Sequence, residues 1–410
     1  MPKPLLLDLS HTSHTLARTG IQRVARSLRL ALGDAALAVT HDPHVKAWRA
    51  LKRWELANLA MKSTARMRGA RWPLSAKFGG RARRLLGRAN AALPENSGLI
   101  EPEVFSPAVA RALPGLFALA HGPRVAVFHD AIVLKFPELS ASTTVARFPA
   151  YLGELLAFDG IAAVSEDSRT TLLDYWRWLG AKHPPPVQAI PLGVDLPGNP
   201  IGYSPAGGAA PAVLGVDLPG NPIGYSPAGG AAPVVLSVGS IEGRKNHLAL
   251  VEACEELWAR GVRFTLHLVG LAHAQTGRAA LARIRQLQGA GRPLRYDGPV
   301  ADDALATAYA TCVVTVYPSL IEGFGLPVIE SLAHGKPCVC SAGGALGESA
   351  RGGGCVALDT VDARNLAGAI GRLLAAPAEL SALTAAARSR RFKTWADYAA
   401  ELTTWMRGLR

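Results

Sequence analysis

No apolar run in this 410-residue sequence reaches the length of a membrane-spanning helix. The opening, MPKPLLLDLS, is too short for the apolar core of a secretory leader and passes straight into polar residues, so it reads as a first strand. Cysteine is missing from the first half. The five present, Cys254, Cys312, Cys338, Cys340 and Cys355, include no C-x-x-C pair and sit mostly in apolar patterns. That speaks against a disulfide framework and against zinc, and reads as buried free thiols in a reducing compartment. No D-x-D triplet occurs either, so one familiar pair of ligands for a divalent ion is not available. What remains is ordinary globular material, 49% hydrophobic and 18% charged, in a chain long enough for two domains of similar size.

Acid is scarce in one place. Between Lys46 and Arg88 thirteen Lys/Arg stand against a single acid, Glu55, so this segment carries most of the net charge of +13. Trp48, Trp54, Trp72 and Phe78 are interleaved with the cations. Within WRALKRWELANLAM, Trp48, Leu51, Trp54, Ala57 and Met61 recur at helical spacing, which predicts a helix with an apolar stripe beside a cationic face. That combination suits an anionic membrane surface. The alternative is a solvated excursion whose stripe faces the core; no nucleic-acid motif accompanies the charge.

The same 20 residues, LGVDLPGNPIGYSPAGGAAP, occur at 192–211 and again at 214–233. Each copy holds four Pro and five Gly without strand or helix periodicity, so two copies cannot stack as a solenoid, and a duplicated, exposed linker is expected. On both sides of it, apolar runs of four to eight residues alternate with helical patterns. Before it come LLLDLS (5–10), VAVFHDA (125–131), GIAAVSE (160–166) and VQAIPLGV (187–194). After it come VVLSVGS (234–240), FTLHLVG (264–270), LRYDGPV (294–300), CVVTVYPS (312–319) and PCVCSAG (337–343), with helices near 245–260, 277–288 and 303–310 between them. This alternation predicts an α/β protein of two doubly wound, Rossmann-like parallel-sheet domains, whose ligands bind at the carboxyl ends of the strands. The boundaries read as 1–191, with a basic insertion at about 46–88; the linker 192–233; a second domain 234–390; and a final helix, 391–410. In that helix Trp395, Tyr398, Leu402, Trp405 and Leu409 form one apolar stripe.

The most informative stretch is YPSLIEGFGLPVIESLAHGKP, 317–337. Pro327 fits the first turn of a helix. Gly323 and Gly325 then make a tight loop whose amides, with the helix N-terminus, attract anions or sugar hydroxyls. Glu322 stands before the helix and Glu330 about one turn inside it, so both carboxylates can address one ligand.

EGFGLPVIE resembles the E-x7-E signature of the retaining glycosyltransferases of the GT-B fold, in particular the large family GT4. Other stretches agree in order. SVGSIEGRKNHLALVEAC (237–254) resembles the donor-phosphate segment, RYDGPVADDAL (295–305) the loop meeting the base, and SAGGALGE (341–348) the Gly-rich loop. FHDAIVLKFPE (128–138), AVSEDSRTTL (163–172) and TGIQRV (19–24) resemble motifs of the first domain. The resemblance implies two Rossmann-like domains facing a cleft, the last helix crossing back to the first domain. It implies transfer of a hexose from a nucleotide diphosphate with retained anomeric configuration, and a leaning towards mannose from GDP-mannose over UDP- or dTDP-sugars.

By that resemblance Arg244 and Lys245 grip the diphosphate, where a bidentate fork and a point charge stabilise the leaving group without a metal or other cofactor. Gly20 would add backbone amides from the first domain, although the family often has two glycines where this chain has Thr19-Gly20. Gly298 and Val300 belong to the base loop. Glu330 would accept from the ribose, Glu322 with the amides of Phe324 and Gly325 would face the transferred sugar, and Gly323 belongs to the same donor-binding loop. His129 resembles the family's histidine near the sugar, with Asp130 beside it; a histidine ending a strand is otherwise structural. Ser165 is either a contact to acceptor or donor or simply a helix N-cap. The partners implied are a nucleotide-sugar donor, a saccharide or lipid-linked acceptor and an anionic membrane surface, with no nucleic acid. The location implied is the cytoplasm, on the inner face of the membrane, in bacterial surface-polysaccharide assembly. A GT-B epimerase or phosphorylase, or a non-catalytic sugar-nucleotide-binding scaffold, is the alternative.

Overall fold

The computed structural model describes residues 3–16, 20–61, 71–86, 93–196 and 232–409. Most of the duplicated stretch, and with it the expected linker, lies outside the described residues. The chain divides into two units: Met1–Gly193 with Trp395–Arg410, and Val194–Thr394.

In the first unit, strands β1 (Leu5–Asp8), β2 (Ala36–Asp42), β3 (Ala47–Ala50), β4 (Leu99–Glu101), β5 (Arg124–Phe128), β6 (Gly160–Ala163) and β7 (Val187–Ala189) form one sheet in the order β3-β2-β1-β4-β5-β6-β7. All neighbours are parallel except β2 and β3, which pair antiparallel from Val39↔Ala50 to Asp42↔Ala47. Parallel strands are covered on both faces, which is why Leu6, Leu7, Val125, Val127 and Ile161 are all fully buried.

The helix expected from Trp48 to Met61 forms only in its second part. Trp48 lies on β3, where its Nε1 donates to Ala112 O at 2.9 Å, and the helix begins only at Arg53 (Arg53–Ala60). The hairpin ladder and the Arg49–Asp42 ion pair (2.8 Å) hold 47–50 extended against the helical period. Trp54 and Trp72 turn inward onto His14, with ring centroids 5.4 and 4.0 Å away.

The helix Trp395–Arg407 belongs to this unit and packs beside Gly20–Leu32. Trp395, Tyr398 and Leu402 are buried as the stripe requires. Gly160 lets it approach: a Cβ there would stand 2.6 Å from Leu409 Cδ1 and 2.9 Å from the Trp405 ring.

In the second unit, β8 (Val234–Val238), β9 (Thr265–Val269), β10 (Leu294–Tyr296), β11 (Val314–Tyr317), β12 (Cys338–Ser341) and β13 (Cys355–Leu358) form a wholly parallel sheet in the order β10-β9-β8-β11-β12-β13. The order reverses between β8 and β11, and at such a switch point the two following loops diverge and leave a crevice. Helices His247–Ala259 and Ala363–Ala375 cover one face, joining Leu250, Val251, Cys254 and Leu257 to Leu366, Ile370 and Leu373 in one core. Full burial of each such aliphatic side chain is worth roughly 1.5–3 kcal/mol. All five cysteines are free, and all but the half-buried Cys355 are buried.

Candidate functional site

The reversal between β8 and β11 places two loops side by side. After β8 the chain makes a single tight turn, Gly243–Lys245, before the helix His247–Ala259; after β11 it runs through Ser319–Gly325 into the helix Leu326–Ala333. The loops are stitched by Leu320 N donating to Arg244 O at 2.8 Å, with Ser319 Oγ 3.3 Å from the same carbonyl. This stitching brings together the residues that sequence reading singled out 78 positions apart. Lys245 Nζ lies 2.5 Å from Glu322 Oε1, and Arg244 reaches Glu322 Oε2 at 2.9 Å and Glu242 at 2.8 Å.

The electrostatics follow from that packing. Burial works to raise the Glu322 carboxyl, but Lys245 and Arg244 outweigh it and bring it down to about 2. Lys245 shifts down as well, because burial outweighs the pull of Glu322 on it. Lys245 also donates to the Tyr317 hydroxyl and sits 4.6 Å from that ring's centroid, while Ser319 Oγ donates to Glu322. The site is therefore a partly desolvated cluster of two cations and two carboxylates, balanced in charge. An anion entering it takes over cations now held by Glu322 and Glu242.

Pro327 lies in the first turn of its helix, and Gly325 caps that helix at φ +92°. No β-carbon fits there: one added to Gly325 would stand 2.7 Å from Leu346 Cδ2. Ser349 Oγ donates to Phe324 O at 2.6 Å, which ties the Gly323–Gly325 loop to the helix Gly344–Ala350 behind it. Glu330, one turn inside, is buried, and its Oε2 accepts from the Tyr309 hydroxyl at 3.3 Å; the Tyr309 ring stacks on His334. Gly298 (φ +68°) and Val300 follow β10, two strands from β8 along the same carboxyl edge. Gly298 O accepts from Gly270 N at 2.8 Å, so this loop is held to the end of β9 rather than to the ion-pair cluster.

The remaining candidates belong to the first unit. Gly20 opens the helix Gly20–Leu32 with nothing within 4 Å of an added Cβ, so no steric demand makes it glycine; Thr19 lies outside the described residues. His129 follows β5, buried, and its Nε2 donates to Pro102 O at 2.8 Å; burial lowers its pKa, leaving a neutral imidazole. Asp130 accepts from Ile132 N at 3.1 Å. Ser165 is the N-cap of Glu166–Leu179, accepting from Ser168 N at 3.1 Å, a bond worth about 1 kcal/mol.

Sequence reading passed over Glu242, Tyr317 and Ser319, which complete the cluster; each stands within five residues of a residue it did name. It also missed Asp8, Glu101 and Glu103, buried at the ends of β1 and β4 where the order of the first sheet reverses. Burial, then the Asp8 carboxyl beside it, pushes Glu101 well above the ordinary carboxylate range, and Glu103 accepts from the amides of His11 and Thr12 at 2.9 and 2.8 Å. The signal available was an acid ending an apolar run, in LLLD and LIE.

Residues 232–376 match the family model described as Glycosyl transferases group 1. Over 361 residues the chain is 27% identical to the serotype-specific mannosyltransferase WbdA of Escherichia coli, an alignment covering 82% of this chain and 38% of that one. It is 31% identical over 176 residues to the MMP alpha-(1->4)-mannosyltransferase of Mycolicibacterium hassiacum, covering 39% and 43% of the two chains. The chain thus spans about two fifths of the length of these curated relatives. Among solved structures, sucrose-phosphate synthase from Thermosynechococcus elongatus superposes with a TM-score of 0.64 at 20% identity, covering 99% of both chains. Anabaena HepE in complex with UDP does so with a TM-score of 0.64 at 17% identity, covering 99% of this chain and 100% of that one. These likenesses establish the GT-B fold.

Proposed function

We infer that this chain, whose residues 232–376 belong to the glycosyl transferases of group 1, moves a sugar from a nucleotide diphosphate donor to an acceptor hydroxyl. One observation carries the reading: Arg244 and Lys245, joined to Glu322 at the sheet's switch point, form a charge-balanced cluster beside a glycine-capped helix start. A diphosphate entering the cluster pairs with the two cations. Glu322, its pKa near 2, stays ionised at neutral pH and is released to accept hydrogen bonds from the hydroxyls of the donor sugar. Glu330, anchored by Tyr309, accepts from the ribose in the same way.

As the glycosidic bond to phosphate breaks, negative charge develops on the leaving diphosphate, and the fixed cations and oriented amides stabilise it where it forms. These two side chains supply the charge that a divalent ion supplies in other transferases, so the reaction proceeds without one. The leaving phosphate takes the acceptor's proton, so transfer occurs on the front face with retention of configuration. The donor sugar is a hexose, with mannose from GDP-mannose favoured. The mannosyltransferase relatives support the sugar, and a neighbour bound to UDP supports a nucleotide in this fold. The acceptor is a saccharide or lipid-linked saccharide in surface-polysaccharide assembly, at the cytoplasmic face of the membrane. A relative named O-antigen chain mannosyltransferase B supports that class.

Titration calorimetry of GDP, UDP, dTDP and GDP-mannose in the presence of EDTA tests base choice and metal independence together. The expected result is tight binding of one base series with EDTA present, guanine first. Binding that appears only after manganese is restored refutes the metal-free reading, and absence of binding by every nucleotide refutes the donor site.

A further inference from the structure

The helix Leu74–Leu85 takes no part in this chemistry. It is held by its smallest residues: Ala76 and Gly80 are buried, and a Cβ added at Gly80 would stand 2.7 Å from His44 Cβ, so the backbone lies directly on the turn between β2 and β3. At 3.6 residues per turn, Leu74, Phe78 and Leu85 fall within about 40° of arc on the outward side. They are 69%, 66% and 87% exposed, and Leu86 just beyond is 70% exposed. Lys77, Arg81 and Arg84 line one flank of that stripe, and the helix contains no acid. Glu55, the acid of the surrounding basic segment, is fully buried and paired with Arg49 at 2.7 Å and His14 at 2.9 Å, so it does not offset the outward charge. Like charges gather instead: burial, then Arg49 and Arg83, lower Lys52.

We propose that this helix docks the protein on an anionic lipid surface, with Leu74, Phe78 and Leu85 entering the headgroup–acyl boundary and Lys77, Arg81 and Arg84 meeting lipid phosphates. Charge complementarity selects a polyanion, and the apolar stripe selects among polyanions. A nucleic acid would satisfy the cations but leave three large side chains in water, whereas a bilayer surface takes up both. The helix lies on the surface rather than spanning it, since among the described residues no single helix is long and apolar enough to cross a membrane. The tryptophans of the basic segment, read from sequence as the interfacial anchors, are replaced in that role by leucine and phenylalanine. The proposal does not depend on the transfer reaction.

The test is cosedimentation of the full chain with vesicles of equal parts phosphatidylcholine and phosphatidylglycerol, against vesicles of phosphatidylcholine alone. Preference for the anionic vesicles is expected. Lys77→Gln/Arg81→Gln/Arg84→Gln should weaken it on the order of a hundredfold, about fivefold per surface cation. Phe78→Ala/Leu85→Ala, which leaves every charge in place, should weaken it at least roughly tenfold. Both variants alter positions that are exposed or, for Lys77, half-buried, and should keep the wild-type melting curve and nucleotide binding, which separates failure here from failure of the donor site. Equal binding to neutral vesicles, or no binding to anionic ones, overturns the proposal. So does loss on removing the charges without loss on removing Phe78 and Leu85, the outcome expected of a nucleic-acid site.

Discussion

Replacing Lys245 with alanine removes the cation 2.5 Å from Glu322 and leaves Arg244, at 2.9 Å, as the remaining cation on that carboxylate. The depression of Glu322 from 4.5 to about 2 corresponds to about 3 kcal/mol of native-state stabilisation at neutral pH. That figure is an upper bound, because Lys245 is itself shifted down by burial and gives back part of what Glu322 gains. With Arg244 still in place, unfolding in urea at neutral pH should show a loss of about 1–2 kcal/mol. A carboxyl depressed in the folded state contributes stability that is present above its unfolded pKa and is lost as pH falls through the folded one. The difference between variant and wild type should therefore hold above pH 4.5 and shrink as pH falls towards 2.

The effect on transfer should be larger. On the proposed reading one of two cations facing the leaving diphosphate is then gone from a water-poor site, and loss of a single charge-stabilising group there costs on the order of 10²–10³ in kcat. Steady-state release of nucleoside diphosphate, measured beside the urea curves, separates the two effects. A kcat/KM within about threefold of wild type, or activity restored by manganese, would refute the assignment of the charge-stabilising role.

Two further outcomes are expected. Gly325→Ala forces a β-carbon onto a φ of +92° and to within 2.7 Å of Leu346, and chemical denaturation should register a loss of about 1–3 kcal/mol together with weaker donor binding; an unchanged curve would mean the loop relaxes freely. Deleting 192–213 puts the identical Leu214, Gly215 and Val216 where Leu192, Gly193 and Val194 now stand, which restores both the burial of Leu192 and Val194 and the bond from residue 194 to Lys393 O. Since halving a loop changes closure entropy by only about 0.6 kcal/mol, the shortened chain should fold and transfer sugar normally, and an inactive product would show the duplication to be functional.

The second sheet was legible because its strands are continuous apolar runs separated by helix-length segments; only β13, whose CVAL follows three glycines, escaped. The first sheet was harder. ALAVTHD loses its period at Thr40 and His41, LIE is too short to register, and the strand around Trp48 mimics a helical stripe whose real constraint is long-range pairing with β2. At the site, Glu322, Arg244 and Lys245 could be named because EGFGLPVIE and the Arg-Lys pair after VVLSVGS resemble a family signature; an Arg-Lys pair after a strand alone would read as a solvated helix start. Their ion pairing could not be read, since it depends on β8 and β11 being neighbours although β9 and β10 intervene in the chain. Ser165 caps its helix through Ser168 N, and Trp54 and Trp72 pack on His14, far from them in sequence; no periodicity encodes either contact.

The helix Trp395–Arg407 completes the first unit, yet it is synthesised after the whole of the second. On a ribosome, where domains form in the order they emerge, residues 194–394 can finish while the earlier unit still lacks Trp395, Tyr398 and Leu402 from its core and the flank of Gly160 stands open. The half of the protein begun first is thus the half completed last. A premature stop just before this helix would leave the second unit whole and expose an apolar trough on the first to the chaperones.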